Sequence, residues 1–305
     1  MSRYGIIDVG SNTIRLCVYE VTRSKNEHMP NIDTLLNHKA MAGLASYVVD
    51  GVMTEQGIKK AVHVIRGHLR NADFYRCREV HVFATACLRN CKNSERAVRE
   101  IEEGISYPIN LLPGEAEAHL GFRGACLDRP ISSGVLVDIG GGSVELTRIS
   151  KGEETCGISL PQGSLSSFSQ YVHGLVPSFK EMERIQDAFH ALLAEYPLES
   201  YATRRLYGIG GSVRSAMKVY GDLFGDGERL GYIEPAHIET MLDAYCHDAA
   251  AFAHGALHTI PDRVHTFIPG CLILRELFEA TGAKRLEVAK KGVREGYLVE
   301  RVLGE

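Results

Sequence analysis

Two short stretches of the chain combine a carboxylate with residues small enough to let the backbone touch a ligand: Asp8-Val-Gly-Ser-Asn12 and Asp138-Ile-Gly-Gly-Gly-Ser143. Each puts an aspartate at the end of an apolar run, and the glycines that follow can adopt the positive φ angles a phosphate-binding turn needs. Backbone N–H groups of Gly10, Ser11 and Asn12, and of Gly140, Gly141, Gly142 and Ser143, would then point at an anion. Asp138, with Asp8 and Glu145 in support, would hold Mg²⁺ (or Mn²⁺) directly or through water, because Mg²⁺ takes only one or two protein carboxylates. A single D-x-G turn is more often a structural hairpin. Two facing copies would place two phosphate loops across one cleft.

The elements that must position these turns read as buried strands opening into tight turns, over residues 4–9 (YGIIDV) and 134–139 (GVLVDI). They also match each other. Laid without a gap, residues 6–16 fall on 136–146, pairing Asp8 with Asp138, Gly10 with Gly140 and Arg15 with Glu145; in that pairing Glu145 has a second reading, as a salt-bridge residue. A second echo sets residues 83–89 (FATACLR) over 208–214 (GIGGSVR), each after a β-rich stretch. Two matches in one order imply a duplicated α/β unit. Thr54 reads as the N-cap of a helix with Ile58, Ala61, Val62, Ile65 and Leu69 on its inner face, and Ser94 precedes a second. Residues 180–195 and 235–253 read as helices, residues 221–231 as a mobile Gly/Asp-rich loop, and the domain boundary is expected where DRPISSG gathers Pro, Ser and Gly, giving domains 1–125 and 126–305.

Composition is that of an ordinary globular protein: 305 residues, 45% hydrophobic and 24% charged, with a net charge of -4 that gives no global pull toward nucleic acid or membrane. Any anion must therefore be held by local cations and backbone N–H groups. The eight cysteines lack metal-finger spacing and read as reduced thiols, Cys87 and Cys91 included. No run of about 18 apolar residues occurs and no charged leader precedes one, so the expected compartment is the cytoplasm.

The motifs IIDVGSNTIRL, ATACLRNCKN (84–93), PGEAEA (113–118), VDIGGGSVEL (137–146), GIGGSVRS (208–215) and GVREGYL (292–298) keep one order across nearly the whole chain. In that combination the chain resembles the exopolyphosphatase/guanosine pentaphosphate phosphatase (Ppx/GppA) family of the acetate and sugar kinase, Hsp70 and actin superfamily. The resemblance implies two actin-like (ribonuclease H-like) α/β domains, each a mixed sheet flanked by helices, with a cleft between them and the last helix packed back on the first domain. It implies a hydrolase that releases orthophosphate from the end of inorganic polyphosphate, or acts on a (p)ppGpp-type nucleotide. Possible assembly is as a homodimer, and the shortness of the chain beside longer family members suggests a preference for short polyphosphates.

The resemblance also implies roles. Arg89 is the phosphate clamp, since a planar guanidinium grips two phosphate oxygens and stabilises transition-state charge. Of the two carboxylates in PGEAEA, only one can face a cleft if a helix begins near Gly114, because residues two apart point roughly 200° from each other. The family's base matches Glu117, which would orient the attacking water; Glu115 reads as an exposed carboxylate near a helix N-terminus. Gly210, Gly211 and Ser212 correspond to the superfamily's adenosine loop, which need not bind adenosine in this family, and are expected to bind phosphate. His119 stands where arginine is common, and Ala289 and Lys290 where Ser-Asp is usual, leaving Lys290, Lys291 and Arg294 as either guides for a polyanion or a solvated helix end. Two other functions compete, a small-molecule kinase and a nucleotide-dependent binding protein. Arg89 and Glu117 favour the hydrolase, and no G-x-x-x-x-G-K-[ST] loop is present.

Overall fold

The computed structural model describes residues 1–23, 30–225 and 230–305. The chain forms two compact units, Met1–Glu117 joined by Arg294–Glu305, and Ala118–Val293. In the first, β1 (Ser2–Val9) is buried along most of its length, as a β-branched run flanked on both sides by neighbours should be. It pairs antiparallel with β2 (Thr13–Thr22), which pairs in turn with the exposed edge strand β3 (Asn31–Met41). A small hairpin of β4 (Val48–Val49) and β5 (Val52–Met53) leads into α1 (Glu55–Phe74), whose N-cap Thr54 accepts from the Gly57 N–H at 3.3 Å. Then come β6 (Glu79–Ala84), the single turn α2 (Ala86–Arg89), α3 (Ser94–Ile105) and β7 (Ile109–Leu111). The sheet order is β3-β2-β1-β6-β7, with β6 and β7 parallel to β1. Ile7 and Val9 of β1 pack with Ile58, Ala61 and Ile65 of α1 and Ala97 and Ile101 of α3. Each of the isoleucines and the valine contributes about 1.5–3 kcal/mol on burial.

The boundary between units falls inside α4 (Gly114–Cys126). The second unit continues with β8 (Gly134–Ile139), β9 (Val144–Ser150), β10 (Glu153–Leu160), α5 (Ser164–Tyr171), α6 (Phe179–Leu193), β11 (Arg205–Ile209) and α7 (Gly210–Phe224). It closes with β12 (Tyr232–Ile233), α8 (Pro235–His247), α9 (Ala249–Thr259), α10 (Val264–Thr281) and β13 (Arg285–Val288), and α11 (Val293–Tyr297) straddles the return to unit 1. Its sheet runs β10-β9-β8-β11-β13-β12. The strand period of two divides β8 between two cores: Val135, Val137 and Ile139 face the helices α6, α7, α8 and α10, while Leu136 joins Phe122 and Ala125 of α4 with Tyr207 and Ile209 of β11.

Both sheets therefore carry the same 3-2-1-4-5 order, with the first two pairings antiparallel and the next two parallel. This is the actin-like, ribonuclease H-like α/β arrangement the resemblance implies, and β1–β2 is the structural double of β8–β9. The second sequence echo is off by one residue. Asp8 lies beside Phe83, but Asp138 lies beside Ile209, so Phe83 is equivalent to Ile209 rather than to Gly208, and Arg89 and Arg214 are not counterparts. The helix expected over 235–253 is two helices, broken where Asp248 turns to accept from the Ala251 N–H at 2.9 Å. The loop expected over 221–231 begins later, because residues 221–224 continue α7; residues 226–229 lie outside the described residues. All eight cysteines are free thiols. Among the described residues no helix is long and apolar enough to cross a membrane.

Candidate active site

The turn after β1 and the turn after β8 are closed by the same bond. Gly10 N–H donates to Thr13 O at 3.0 Å, and Gly140 N–H donates to Ser143 O at 2.9 Å. In each, the carbonyls behind the turn are taken by a neighbouring segment. Ala45 N–H bonds Ser11 O, and Ala42 and Gly43 N–H bond Asn12 O; Ser164 N–H bonds Gly140 O, and Leu165 and Ser166 N–H bond Gly141 O. Securing the carbonyls leaves the opposite side of each peptide outward. The N–H groups of Ser11, Asn12, Gly141 and Gly142 find no acceptor among the described residues. That is the donor arrangement an anion needs. The start of α5 reaches this turn because residue 163 is glycine: a Cβ there would meet Gly140 O and Ser143 N at 2.7 Å.

In unit 1, α2 and the first turn of α4 bring together the two residues expected to act on substrate. Arg89 Nη1 donates to Glu117 Oε2 at 2.7 Å and to Leu112 O at 2.9 Å. Side chains of Arg89 and Glu117 are only 17% and 11% exposed, so the pair is held in a low-dielectric setting where its attraction is strong. Glu115 is exposed, as the helical geometry requires if Glu117 is turned inward. Asn93, part of the same sequence block, bonds the backbone of Met53 through both ends of its amide at 2.9 Å, a structural clasp on β5.

In unit 2, α4 is fastened to the sheet by two contacts. Thr147 Oγ1 donates to Ala118 O at 3.3 Å, and His119 Nδ1 lies 2.6 Å from Glu154 Oε2. Glu154 borders a β-bulge in β10, which re-aims side chains. His119 thus anchors the helix from a position where arginine is common.

The carboxylates have unlike surroundings. Asp8 Oδ2 accepts from Arg294 Nη1 at 3.0 Å. The reading of Arg294 as a polyanion guide or a solvated helix end is therefore corrected: its side chain is 17% exposed and turned onto β1. Burial works against its charge, but Cys17, Glu295 and Asp8 around it outweigh that and raise its pKa further. Asp138 stands against Gly210, whose φ of 85° belongs to the left-handed region and whose missing Cβ would collide with Asp138 Oδ1. Glu145 is 2% exposed and accepts from Ser159 Oγ at 2.7 Å, while Arg15 bonds Asn37. Lys290 is exposed, and its N–H caps Asp128 at 3.0 Å.

Among the described residues no three His, Cys, Asp or Glu side chains gather as a metal cage. The available donors are oxygens, with Asp138 in a space that any side chain at 210 would fill, and that chemistry fits a hard, partly hydrated cation such as Mg²⁺. Cys87 and Cys91 make no soft site: both are buried, Cys91 Sγ donates to Cys87 O, and burial pushes both thiol pKa values up.

Ser212, in the loop expected to contact nucleotide in kinases, donates to Ser164 Oγ at 3.3 Å. Sequence reading missed Arg263, whose guanidinium lies where a Cβ on Gly211 would be. A signal was available: Arg263 is the N-cap of the apolar helix α10, a position where a cation opposes the helix dipole and is a poor cap.

Residues 20–305 match the Ppx/GppA phosphatase family. Exopolyphosphatase 1 of Mycobacterium tuberculosis is 25% identical over 311 residues, covering 99% of this chain and 89% of its own. Among solved structures, an exopolyphosphatase from Cytophaga hutchinsonii superposes with a TM-score of 0.84 at 19% identity, over 99% of this chain and 98% of that one. The Aquifex aeolicus member of the Ppx/GppA family gives 0.76 at 20% identity, over 99% and 98%.

Proposed function

Because the chain belongs to the Ppx/GppA phosphatase family, we propose that it is an exopolyphosphatase that hydrolyses the terminal phosphoanhydride of inorganic polyphosphate. The observation that carries this reading is the inward-turned Glu117 held at 2.7 Å by Arg89. Glu117 takes a proton from a water molecule, the water oxygen forms a bond to the terminal phosphorus, and the P–O bond to the chain breaks. Orthophosphate leaves, and the shortened chain keeps the bridging oxygen as its new terminal oxyanion. Positioned proton abstraction of this kind is worth about 10²–10⁴ in rate. Arg89 orients Glu117 in the resting enzyme, and its positive charge stabilises the oxygens that gain charge. The outward N–H groups of each turn are donors suited to phosphate oxygens. Asp138, Asp8 and Glu145 are the carboxylates that would hold Mg²⁺, which would supply charge neutralisation for the anhydride.

The relatives named exopolyphosphatase support polyphosphate as the substrate. The deciding experiment is phosphate release from polyphosphate, guanosine pentaphosphate and ATP in parallel, with Mg²⁺ and with Glu117→Ala as control. Release from polyphosphate at a kcat/KM well above the other two is expected. Faster release from the guanosine compound would move the assignment to a nucleotide phosphohydrolase, and phosphate loss that required an added alcohol or carboxylate acceptor would make it a kinase.

A further inference from the structure

The segment Arg294–Tyr297 is tied into unit 1 by contacts the reaction outlined above does not use. Arg294 reaches Asp8 on β1. The next residue, Glu295, accepts a 2.5 Å hydrogen bond from Tyr19 Oη on β2, and Tyr19 is fully buried. Tyr297 stacks on Phe83 of β6 with centroids 4.9 Å apart, and its hydroxyl accepts from Asn110 Nδ2 of β7 at 3.1 Å. One short helical turn is thus pinned to four strands of the sheet, and the side chain it delivers to the end of β1 is a guanidinium. Tyr19 and Tyr297 also hold the segment to the sheet. A charged group aimed at Asp8 costs desolvation that an apolar residue would not. Arg294 Nε is moreover buried without a hydrogen-bond partner among the described residues, an expense a purely structural contact does not explain.

We infer that Arg294 is a positioning residue for the reaction: it fixes the rotamer of Asp8 at the head of the Gly10–Asn12 turn, so that this carboxylate is pre-oriented toward the hydrated metal–phosphate ligand. The inference rests on the reading of that turn as a phosphate and metal site. One carboxylate oxygen, Oδ2, is committed to the guanidinium, which leaves Oδ1 as the oxygen offered to water or metal. Groups that orient a metal ligand in this way typically change affinity or activity by about 10- to 100-fold when removed.

The test compares wild type with Arg294→Ala, Arg294→Lys, Asp8→Ala, the Arg294→Ala/Asp8→Ala double variant and Tyr19→Phe. Three readouts are taken: kcat and KM for phosphate release from Mg²⁺–polyphosphate, the Kd for Mn²⁺ in the presence of pyrophosphate by electron paramagnetic resonance, and thermal midpoint. Expected are a fall in kcat and a rise in Mn²⁺ Kd of about 10-fold or more for Arg294→Ala, partial recovery in Arg294→Lys, and a double variant no worse than the poorer single one. Tyr19→Phe, which loosens the segment but leaves the ion pair, should lower the thermal midpoint with kcat and Mn²⁺ Kd within about twofold. Arg294→Ala behaving like Tyr19→Phe would overturn the inference, as would effects that multiply in the double variant or a wild type that binds no Mn²⁺. If wild type hydrolyses no polyphosphate, the substrate reading fails by itself, and the Mn²⁺ measurements still decide for or against Arg294.

Discussion

In unit 1 the carboxylate at the end of the first strand is gripped by an arginine; in unit 2 its counterpart stands in the room left by a glycine of positive φ. The two turns are otherwise doubles, closed by equivalent bonds of 3.0 and 2.9 Å and braced through their carbonyls. Register makes the contrast sharper. The residue following the β6 partner of Asp8 is Ala84, and the residue following the β11 partner of Asp138 is Gly210. Unit 1 has a side chain there and pairs its carboxylates with cations, Asp8 with Arg294 and Glu117 with Arg89. Unit 2 has no side chain at that position, which makes the room in which Asp138 Oδ1 stands. The two copies of the fold thus differ beside the strand-end carboxylate, with an alanine in one and a glycine that makes room for it in the other.

The strongest way to break this contrast is to remove the reactive charge from unit 1. Glu117→Gln is expected to lower kcat for polyphosphate by about 10²–10⁴ while Glu115→Gln stays within about twofold, measured by phosphate release. Equal losses would erase the distinction between the inner and outer carboxylates. Arg89→Ala comes next, at about 10²–10³ in kcat, with a lowered thermal midpoint because a buried carboxylate is left without its cation. Gly210→Ala probes the steric side: about 10² in activity from displacing Asp138, together with about 1–3 kcal/mol from the positive φ. The unit 1 counterpart, Ala84→Gly, should leave activity near wild type and cost only about 0.5–1 kcal/mol in chain entropy. Comparable activity losses at 84 and 210 would show that the two turns depend on packing alike.

The smallest effect concerns pH. Burial lowers the pKa of His68, behind β2 in unit 1, and of His237 and His265 in unit 2. Each is kept neutral by folding but protonates near 6.5 when unfolded. Their stabilisation is therefore complete above about pH 6.5 and is lost as pH falls below it. Thermal midpoints at pH 7.5 and 5.5 should show an acid-induced drop that is reduced, though not abolished, in His68→Gln. An identical drop in wild type and variant would remove unit 1 from the acid response.

Much of this was readable from residue types because the site is built from local turns. Residues 8–13 and 138–143 each contain within six residues the bond that closes the turn, and a duplicated pattern doubles the signal. The face of α4 was legible for the same reason, since helical geometry alone separates Glu115 from Glu117. What was not legible is long-range pairing. Arg89 and Glu117 were each visible, but their 28-residue separation hid the bond between them, and the 286 residues between Asp8 and Arg294 left the latter looking like a surface cation. The one-residue slip between the β6 and β11 echoes arises because parallel strands take their register from the sheet, not from the turn that follows them. Arg263 carries no motif at all, and only its unfavourable place at a helix start marks it.

The tie between the first strand and the last helical turn also sets an order of events during synthesis. Unit 2 is one continuous stretch of chain, whereas unit 1 is completed only by Arg294–Glu305. At about 5–20 residues per second, a ribosome takes roughly 15–60 seconds to pass from Asp8 to Arg294, longer than most single domains need to fold. For that interval the strand-end carboxylate waits without its cation while the whole of unit 2 is made. The second unit is therefore complete before the first, and Asp8 gains its cation only once residue 294 has been translated.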